Sequence, residues 1–168
     1  TFTVMITRIH IEGYKSIRML DLPLGRINVL IGANGSGKSN FLSFFSLLRH
    51  VYGHNLQAYV ARSGGPAHLL TAGEATEVKG ALYFEHGAGY YLRLGLTPRQ
   101  QLCICDEGAD AETALADERL ESAWAAQELA AHFEGFIVYN FLDLRDEAAV
   151  KRPGPADRHT PLHADGGN

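Results

Sequence analysis

Residues 32–39, Gly-Ala-Asn-Gly-Ser-Gly-Lys-Ser, have the spacing G-x-x-x-x-G-K-[ST] of a phosphate-binding loop. Glycines at Gly32, Gly35 and Gly37 allow the backbone to curl so that successive N–H groups point inward at phosphate oxygens. Lys38 supplies a mobile positive charge for the terminal phosphates, and the Ser39 hydroxyl can ligate the magnesium ion that bridges them. The spacing therefore predicts a site for a nucleoside triphosphate with Mg2+.

The predicted contact residues form one continuous run. Small polar side chains inside the loop, Asn34 and Ser36, can turn toward phosphate without blocking it, and the positive end of the following helix adds to the field. The alternative is a glycine-rich turn that binds no nucleotide. The full candidate set is Gly32, Ala33, Asn34, Gly35, Ser36, Gly37, Lys38, Ser39 and Asn40.

Two elements must hold this loop. Residues 27–31 are a nearly continuous apolar run, typical of a strand buried on both faces. From Lys38 to about Tyr52, apolar residues recur at helical spacing, which predicts an amphipathic helix. Its predicted apolar positions are Phe41, Phe44, Phe45, Leu48 and Val51.

Before the loop, period-two alternation predicts a strand over residues 7–11, broken at Gly13, and a second strand over residues 20–24. Residues 53–73 are rich in turn formers, with at most one short helix on either side of residues 62–66. Residues 78–86 and 90–96 flank Gly-Ala-Gly as a hairpin, and residues 101–105 could add a third antiparallel strand.

The remaining third of the chain has weaker signals. Residues 111–132 are rich in Ala, Leu, Glu and Gln and predict a helix that ends at Gly135. Residues 136–141 predict a buried strand. From Arg145 onward, the density of Gly and Pro predicts an irregular loop.

Composition sets outer limits on the protein's class. With 168 residues, 46% hydrophobic and 20% charged, the chain is the size of one globular domain. It has neither an apolar run that could cross a bilayer nor an export signal, so a cytoplasmic location is expected. Residues 1–62 hold seven Lys or Arg against two Asp or Glu, an excess that suits a nucleotide or is ordinary surface charge.

The two cysteines and the histidines do not form a metal-ligand pattern. Cys103 and Cys105 lie two positions apart on a predicted strand, too close for a useful disulfide, and we expect reduced thiols in the core. The eight histidines are scattered without the spacing of a metal site.

A second acidic motif competes for a catalytic role. Residues 102–107 place four apolar residues before Asp106 and Glu107, the shape of a Walker B strand. In that interpretation Asp106 would hold magnesium through water and Glu107 would activate the attacking water. A Walker B strand belongs to a parallel sheet and needs a crossover connection, whereas this strand closely follows a hairpin, so we favour a chance match.

Residues 6–17, ITRIHIEGYKSI, followed by a short hairpin and RINVLIGANGSGKSNFL, resemble the N-terminus of SMC/RecF/OLD-like AAA family ATPases. The resemblance is strong from residue 5 to about residue 51 and weaker beyond. It implies an α/β P-loop NTPase fold: the first lobe of an ABC-ATPase-like head, with a mixed sheet and an antiparallel β subdomain. Residues 5–142 would form this lobe and residues 143–168 an irregular loop at a truncation point. It also implies that Lys15 lies beside the bound nucleotide.

In that family, ATP and Mg2+ are used by two heads that sandwich the nucleotides, so the resemblance implies a homodimer with DNA or a nuclease as a possible partner. The family's signature helix, Walker B acid, catalytic Glu and switch His do not follow residue 141. An isolated chain would then be an inactive nucleotide-binding or interaction fragment that needs a second lobe or a partner chain. A small P-loop kinase is a third, less favoured alternative.

Overall fold

A computed structural model describes residues 5–72, 75–85 and 89–109, together with Phe133 and Phe136. The predicted helix over residues 111–132, the body of the strand over residues 136–141, and the domain boundary at residue 142 lie outside the described residues.

Five strands form one antiparallel sheet in the order β2-β1-β3-β4-β5. The strands predicted over residues 7–11 and 20–24, the hairpin and the third antiparallel strand are confirmed. Every described pairing is antiparallel, so the parallel part of the predicted mixed sheet is not formed among these residues. The strands are β1 (Ile6–Tyr14), β2 (Ile17–Pro23), β3 (Glu77–Phe84), β4 (Gly89–Leu96) and β5 (Leu102–Gly108).

The break predicted at Gly13 is wrong, because β1 continues through it. Gly13 has φ 72°, a value that a residue without a Cβ adopts at little cost, and the ladder resumes with Tyr14 opposite Ile17. The strand therefore carries its pairing up to the turn of Lys15 and Ser16.

Helices cover one face of the sheet. The first helix, α1 (Lys38–Tyr52), has the predicted bounds. A second helix, α2 (Leu56–Arg62), and a 3₁₀ turn (Pro66–His68) lie on either side of the Gly64-Gly65 turn, as predicted. No helix among the described residues is long and apolar enough to span a membrane.

The core lies between α1 and the inner face of the sheet. Leu47 is fully buried in it, whereas Phe45, predicted as a core position, is partly buried and packs edge-on against Phe41 and Phe136. The residues of α1 that are buried are Phe41, Phe44, Leu47, Leu48 and Val51. They meet strand residues that include Ile9, Ile11, Val78, Leu82, Leu92 and Leu94.

The strand predicted over residues 27–31 is not formed, and its burial on both faces is wrong. Ile27, Val29 and Ile31 are 87%, 76% and 91% exposed. An apolar extended segment becomes a strand only when neighbouring strands accept its N–H and C=O groups, and none of β1 to β5 pairs with it. The result is an exposed apolar segment directly before the glycine-rich loop.

Both cysteines are free, as expected, but they do not belong to the core. Cys103 is partly buried and Cys105 is exposed. Arg93 pairs with Asp106 and the next residue of β4, Leu94, pairs with Ile104, so Cys105 is the extra residue of a bulge in the edge strand β5. Period-two alternation cannot anticipate such a register shift.

The outer face of the sheet carries paired charges. Arg8 donates two hydrogen bonds to Asp21 across the β1–β2 pair, and these hold the pKa of the Asp21 carboxyl below its ordinary value. Lys79 of β3 lies 3.2 Å from Glu77 and 3.8 Å from Glu12. The basic residues of this face are thus offset by neighbouring carboxylates.

A substitution at Gly80 tests the fit of α1 on the sheet. A Cβ at Gly80 would overlap Cζ of Phe44, whose side chain is fully buried. We expect Gly80→Ala to lower the free energy of unfolding by about 1–3 kcal/mol through overpacking. Urea unfolding measures this loss, and Gly25→Ala, where the nearest atom to the new Cβ is 3.8 Å away, is the control. An unchanged stability of Gly80→Ala would contradict the described packing.

Candidate phosphate-binding site

The glycine-rich loop curls sharply just before α1 begins. Gly35 and Gly37 have φ values of 83° and 93°, in the left-handed region that favours glycine, and Gly37 is the N-cap of α1. The Ser36 N–H donates to the Ala33 carbonyl at 3.2 Å, which closes a turn within the loop. This geometry explains why glycine stands at these two positions.

Lys38 folds back over the loop. Its Nζ donates to the carbonyl oxygens of Gly32 at 2.6 Å and Ala33 at 2.7 Å, and lies 3.2 Å from Oγ of Ser36. An ammonium group has three hydrogens, so these contacts account for all of its donors. The positive charge of Lys38 is therefore held inside the curve of the loop, where a phosphate group would lie.

A side chain at the first position of the loop would displace the Ser36 hydroxyl. A Cβ at Gly32 would stand 2.8 Å from Oγ of Ser36 and 3.9 Å from Nζ of Lys38. The residues present thus fit a phosphate cradle, because glycines and small side chains form the loop and the Lys38 ammonium lies inside its curve.

The first turn of α1 supplies further donors. N–H groups of a helical first turn have no carbonyl before them in the helix, and the helix dipole adds partial positive charge there. No acidic residue lies in this turn of α1. Ser39, the predicted magnesium ligand, is the second residue of the helix and is exposed. Its hydroxyl is thus accessible at the positive end of α1.

The stretch of chain that contains the loop has formal charges of one sign. Residues 22–73 contain no Asp or Glu, and the Lys and Arg residues of this stretch are Arg26, Lys38, Arg49 and Arg62. A phosphate group placed at the loop would meet no repulsion from this stretch of the chain. The local sign agrees with the basic excess of residues 1–62.

The turn between β1 and β2 brings Lys15 and Ser16 to the start of α1. Asn40 Nδ2 donates to Oγ of Ser16 at 2.7 Å, and a Cβ at Gly37 would lie 3.3 Å from the same oxygen. Lys15 donates from Nζ to Oγ of Ser43 at 2.9 Å, one helical turn beyond Ser39. Asn40 and Lys15, both predicted site residues, are thus brought to the loop end of α1.

The Lys15 ammonium is partly enclosed. Burial lowers the pKa of Lys15 below its ordinary value, and Nζ lies 5.3 Å from the centre of the Tyr14 ring. Sequence reasoning missed Ser16 and Ser43 as contributors. The one available signal was helical spacing, which puts Ser43 on the same face as Ser39.

Asp106 and Glu107 are engaged with β4. Oδ1 of Asp106 accepts a hydrogen bond from the Tyr91 hydroxyl at 3.2 Å, and Oδ2 lies 3.7 Å from Arg93. Glu107 accepts from the Tyr90 hydroxyl at 2.7 Å. Burial, followed by the Glu107 charge, raises the pKa of Tyr90, which therefore stays a neutral donor. The prediction that this strand pairs antiparallel with the hairpin is confirmed.

Metal ligation by clustered side chains is not found in the part of the chain that the structure describes. No group of three or more His, Cys, Asp or Glu side chains lies close enough there to hold an ion. The candidate magnesium ligand is then the single Ser39 hydroxyl, a pattern suited to an ion that is held mainly by phosphate oxygens and water.

Comparison with known proteins gives one family match. Residues 27–98 match a family model described as "AAA domain, putative AbiEii toxin, Type IV TA system". The matched segment runs from the exposed apolar segment through the loop and both helices to two residues beyond β4. It supports an AAA-type P-loop ATPase relationship and suggests nucleotide binding. No curated protein matches the chain.

Removal of the Lys38 charge should loosen the loop without any ligand. We expect Lys38→Met to speed hydrogen exchange of the amides of residues 33–37 about tenfold, because hydrogen bonds from a charged donor contribute about 1.5–3 kcal/mol. Exchange followed by mass spectrometry measures this, and Arg26→Met, an exposed basic residue upstream, is the control. Equal exchange rates in both variants would show that Lys38 does not hold the loop.

Proposed function

We propose that this chain binds ATP with Mg2+ through residues 32–40, as the first lobe of an SMC/RecF/OLD-like ATPase head. The observation that carries this proposal is the curled loop at the start of α1, with glycines at positive φ and the Lys38 ammonium directed into its curve. The family match over residues 27–98 supports it.

Each residue has a distinct part in the proposed site. Loop N–H groups and the first turn of α1 bind phosphate oxygens, and Lys38 exchanges its carbonyl contacts for the β and γ phosphates. Ser39 ligates the magnesium ion, whose chemistry is to neutralise charge on the phosphates. Lys15 and Asn40 border the site from the β1–β2 turn. Asp106 and Glu107 take no part in this proposal, since each carboxylate accepts a hydrogen bond from a tyrosine of β4.

Hydrolysis in this proposal needs a second lobe or a partner chain. The observation that favours this requirement is the exposed apolar segment of residues 27–31, which leads directly into the loop. A strand from the second lobe would pair with it and cover Ile27, Val29 and Ile31. A head-to-head homodimer, with DNA or a nuclease as partner, is the arrangement that the family resemblance implies. The chain alone is then a non-catalytic nucleotide-binding fragment.

Titration of a fluorescent ATP analogue with Mg2+ tests the binding site. We expect Lys38→Ala to weaken binding at least about tenfold, because a charge-assisted contact contributes about 1.5–3 kcal/mol. Lys79→Ala, which removes a lysine from the outer face of the sheet, should bind like the parent. Equal affinity of Lys38→Ala and the parent would refute the site.

Phosphate release under the same conditions should stay at background. Robust turnover by the chain alone would contradict the need for a second lobe. If it were then lost in Glu107→Gln, Asp106 and Glu107 would be a working Walker B pair.

The uncovered segment should make the chain self-associate. We expect the parent to elute as oligomers in size-exclusion chromatography, because a contiguous exposed apolar segment favours association. Replacement of Ile27, Val29 and Ile31 together by Thr should restore a monomer while keeping β-branched side chains. Met19→Thr removes another exposed apolar side chain and is the control. A monodisperse parent monomer would count against the proposed second lobe.

A further inference from the structure

Three hydroxyl groups meet behind the phosphate-binding loop. The Tyr14 hydroxyl lies 3.0 Å from Oγ of Ser43 and 3.0 Å from the Tyr59 hydroxyl. Tyr59 donates to the Ser43 carbonyl at 3.1 Å, and the Ser43 hydroxyl donates to the Asn40 carbonyl at 2.8 Å. Both tyrosines are buried, so these contacts join β1, α1 and α2 largely out of contact with solvent.

The donors of this cluster are fully used. The Lys15 ammonium can only donate hydrogen bonds, so Oγ of Ser43 must accept from it at 2.9 Å. The hydrogen of Ser43 goes to Asn40, so the contact between Tyr14 and Ser43 is one in which Tyr14 donates. Burial raises the pKa of Tyr14, which keeps it a neutral donor. Tyr59 gives its hydrogen to the Ser43 carbonyl, so the Ser43 hydroxyl is the acceptor that both Tyr14 and Lys15 would lose in Ser43→Ala.

The cluster supports a turn with unusual backbone geometry. Lys15 has φ 51°, a left-handed value that is uncommon for a residue with a Cβ and costs on the order of 1 kcal/mol. The Lys15 N–H donates to the Leu69 carbonyl at 2.9 Å, and the Thr71 N–H donates to the Gly13 carbonyl at 3.0 Å. Such a conformation persists only where surrounding contacts determine it, and here they come from residues 69–71 and from Ser43.

We infer that Tyr14, Ser43 and Tyr59 are positioning residues that hold the turn of Lys15 and Ser16 against the first two turns of α1. This inference rests on the proposed nucleotide site. Through Ser43 the cluster fixes the Lys15 ammonium one helical turn beyond Ser39, and through the turn it fixes Ser16 over Gly37 and Asn40. Helix α2, which lies outside the loop motif, becomes part of the nucleotide site by way of the Tyr59 hydroxyl.

Removal of a hydroxyl from this cluster should lower nucleotide affinity as well as stability, unlike removal of an ordinary buried hydroxyl. Each contact of the cluster contributes to stability, as any buried hydrogen bond does. A positioning role predicts an additional loss of nucleotide affinity, because Lys15 and Ser16 would move relative to Ser39. It also predicts non-additivity, since Tyr14, Ser43 and Tyr59 act through the same turn.

The first experiment compares Ser43→Ala and Tyr59→Phe with Tyr90→Phe. Tyr90 is the control, because it is buried and its hydroxyl donates a hydrogen bond to Glu107 of β5 rather than to a residue of the cluster. We expect Ser43→Ala and Tyr59→Phe each to weaken binding of the Mg2+–ATP analogue about threefold to tenfold. The double variant should bind no more weakly than the single variant with the lower affinity. Tyr90→Phe should keep the parent affinity, although its free energy of unfolding, measured with urea, should fall by a similar amount.

A conservative replacement and a chemical readout separate positioning from general stability. Ser43→Thr keeps the hydroxyl and should bind the analogue within about twofold of the parent. Without nucleotide, acetic anhydride should acetylate Lys15 several-fold faster in Ser43→Ala than in the parent, because the amine loses its partner. Tyr90→Phe should leave that rate unchanged. Mass spectrometry of the peptide containing Lys15 measures it.

The outcomes distinguish this inference from the proposed function. Equal acetylation of Lys15 in Ser43→Ala and the parent, or equal affinity losses in Tyr59→Phe and Tyr90→Phe, would overturn the positioning role while the nucleotide site stands. A parent that does not bind the analogue would refute the nucleotide site itself. In that case the acetylation rate still decides whether Ser43 holds Lys15.

Discussion

The packing of α1 against the sheet is the contact on which the candidate site depends. The Phe44 ring lies against Gly80 of β3 and fixes how closely the helix approaches the strands. The start of α1 carries Lys38 and Ser39, so this contact sets their position relative to the β1–β2 turn. A displacement of the helix by a few tenths of an ångström would also displace the loop, because protein interiors are close-packed.

The sequence predicted those parts of the fold that depend on periodicity. Helix α1 and the hairpin of β3 and β4 have strong patterns, apolar residues at helical spacing in one and alternation around a Gly-rich turn in the other. The bulge at Cys105 escaped prediction because one extra residue shifts the register without changing the apolar pattern. The apolar pattern of residues 27–31 indicates a buried strand but does not say which chain segment covers it.

The candidate site likewise contains residues that the sequence predicts and residues that it does not. The loop motif names its own residues, because backbone curvature and phosphate chemistry restrict each position from Gly32 to Ser39. Ser16, Ser43 and Tyr59 could not be found from spacing, since their contacts depend on a turn with positive φ at Lys15 and on the way α2 folds back over α1. Long-range hydrogen bonds of this kind leave no local pattern.

The strand order β2-β1-β3-β4-β5 has a consequence for folding kinetics. The β1–β2 pair and the β3–β4–β5 meander each join neighbours along the chain, whereas the ladder of β1 with β3 joins Ile11 to Gly80 across both helices and the loop. Bringing β1 and β3 together closes a long chain segment and loses conformational entropy before stabilising contacts form, which slows folding. We expect the two local units to form early and the β1–β3 ladder late. The phosphate cradle, enclosed within that long loop, would then be among the last features of the native state to appear.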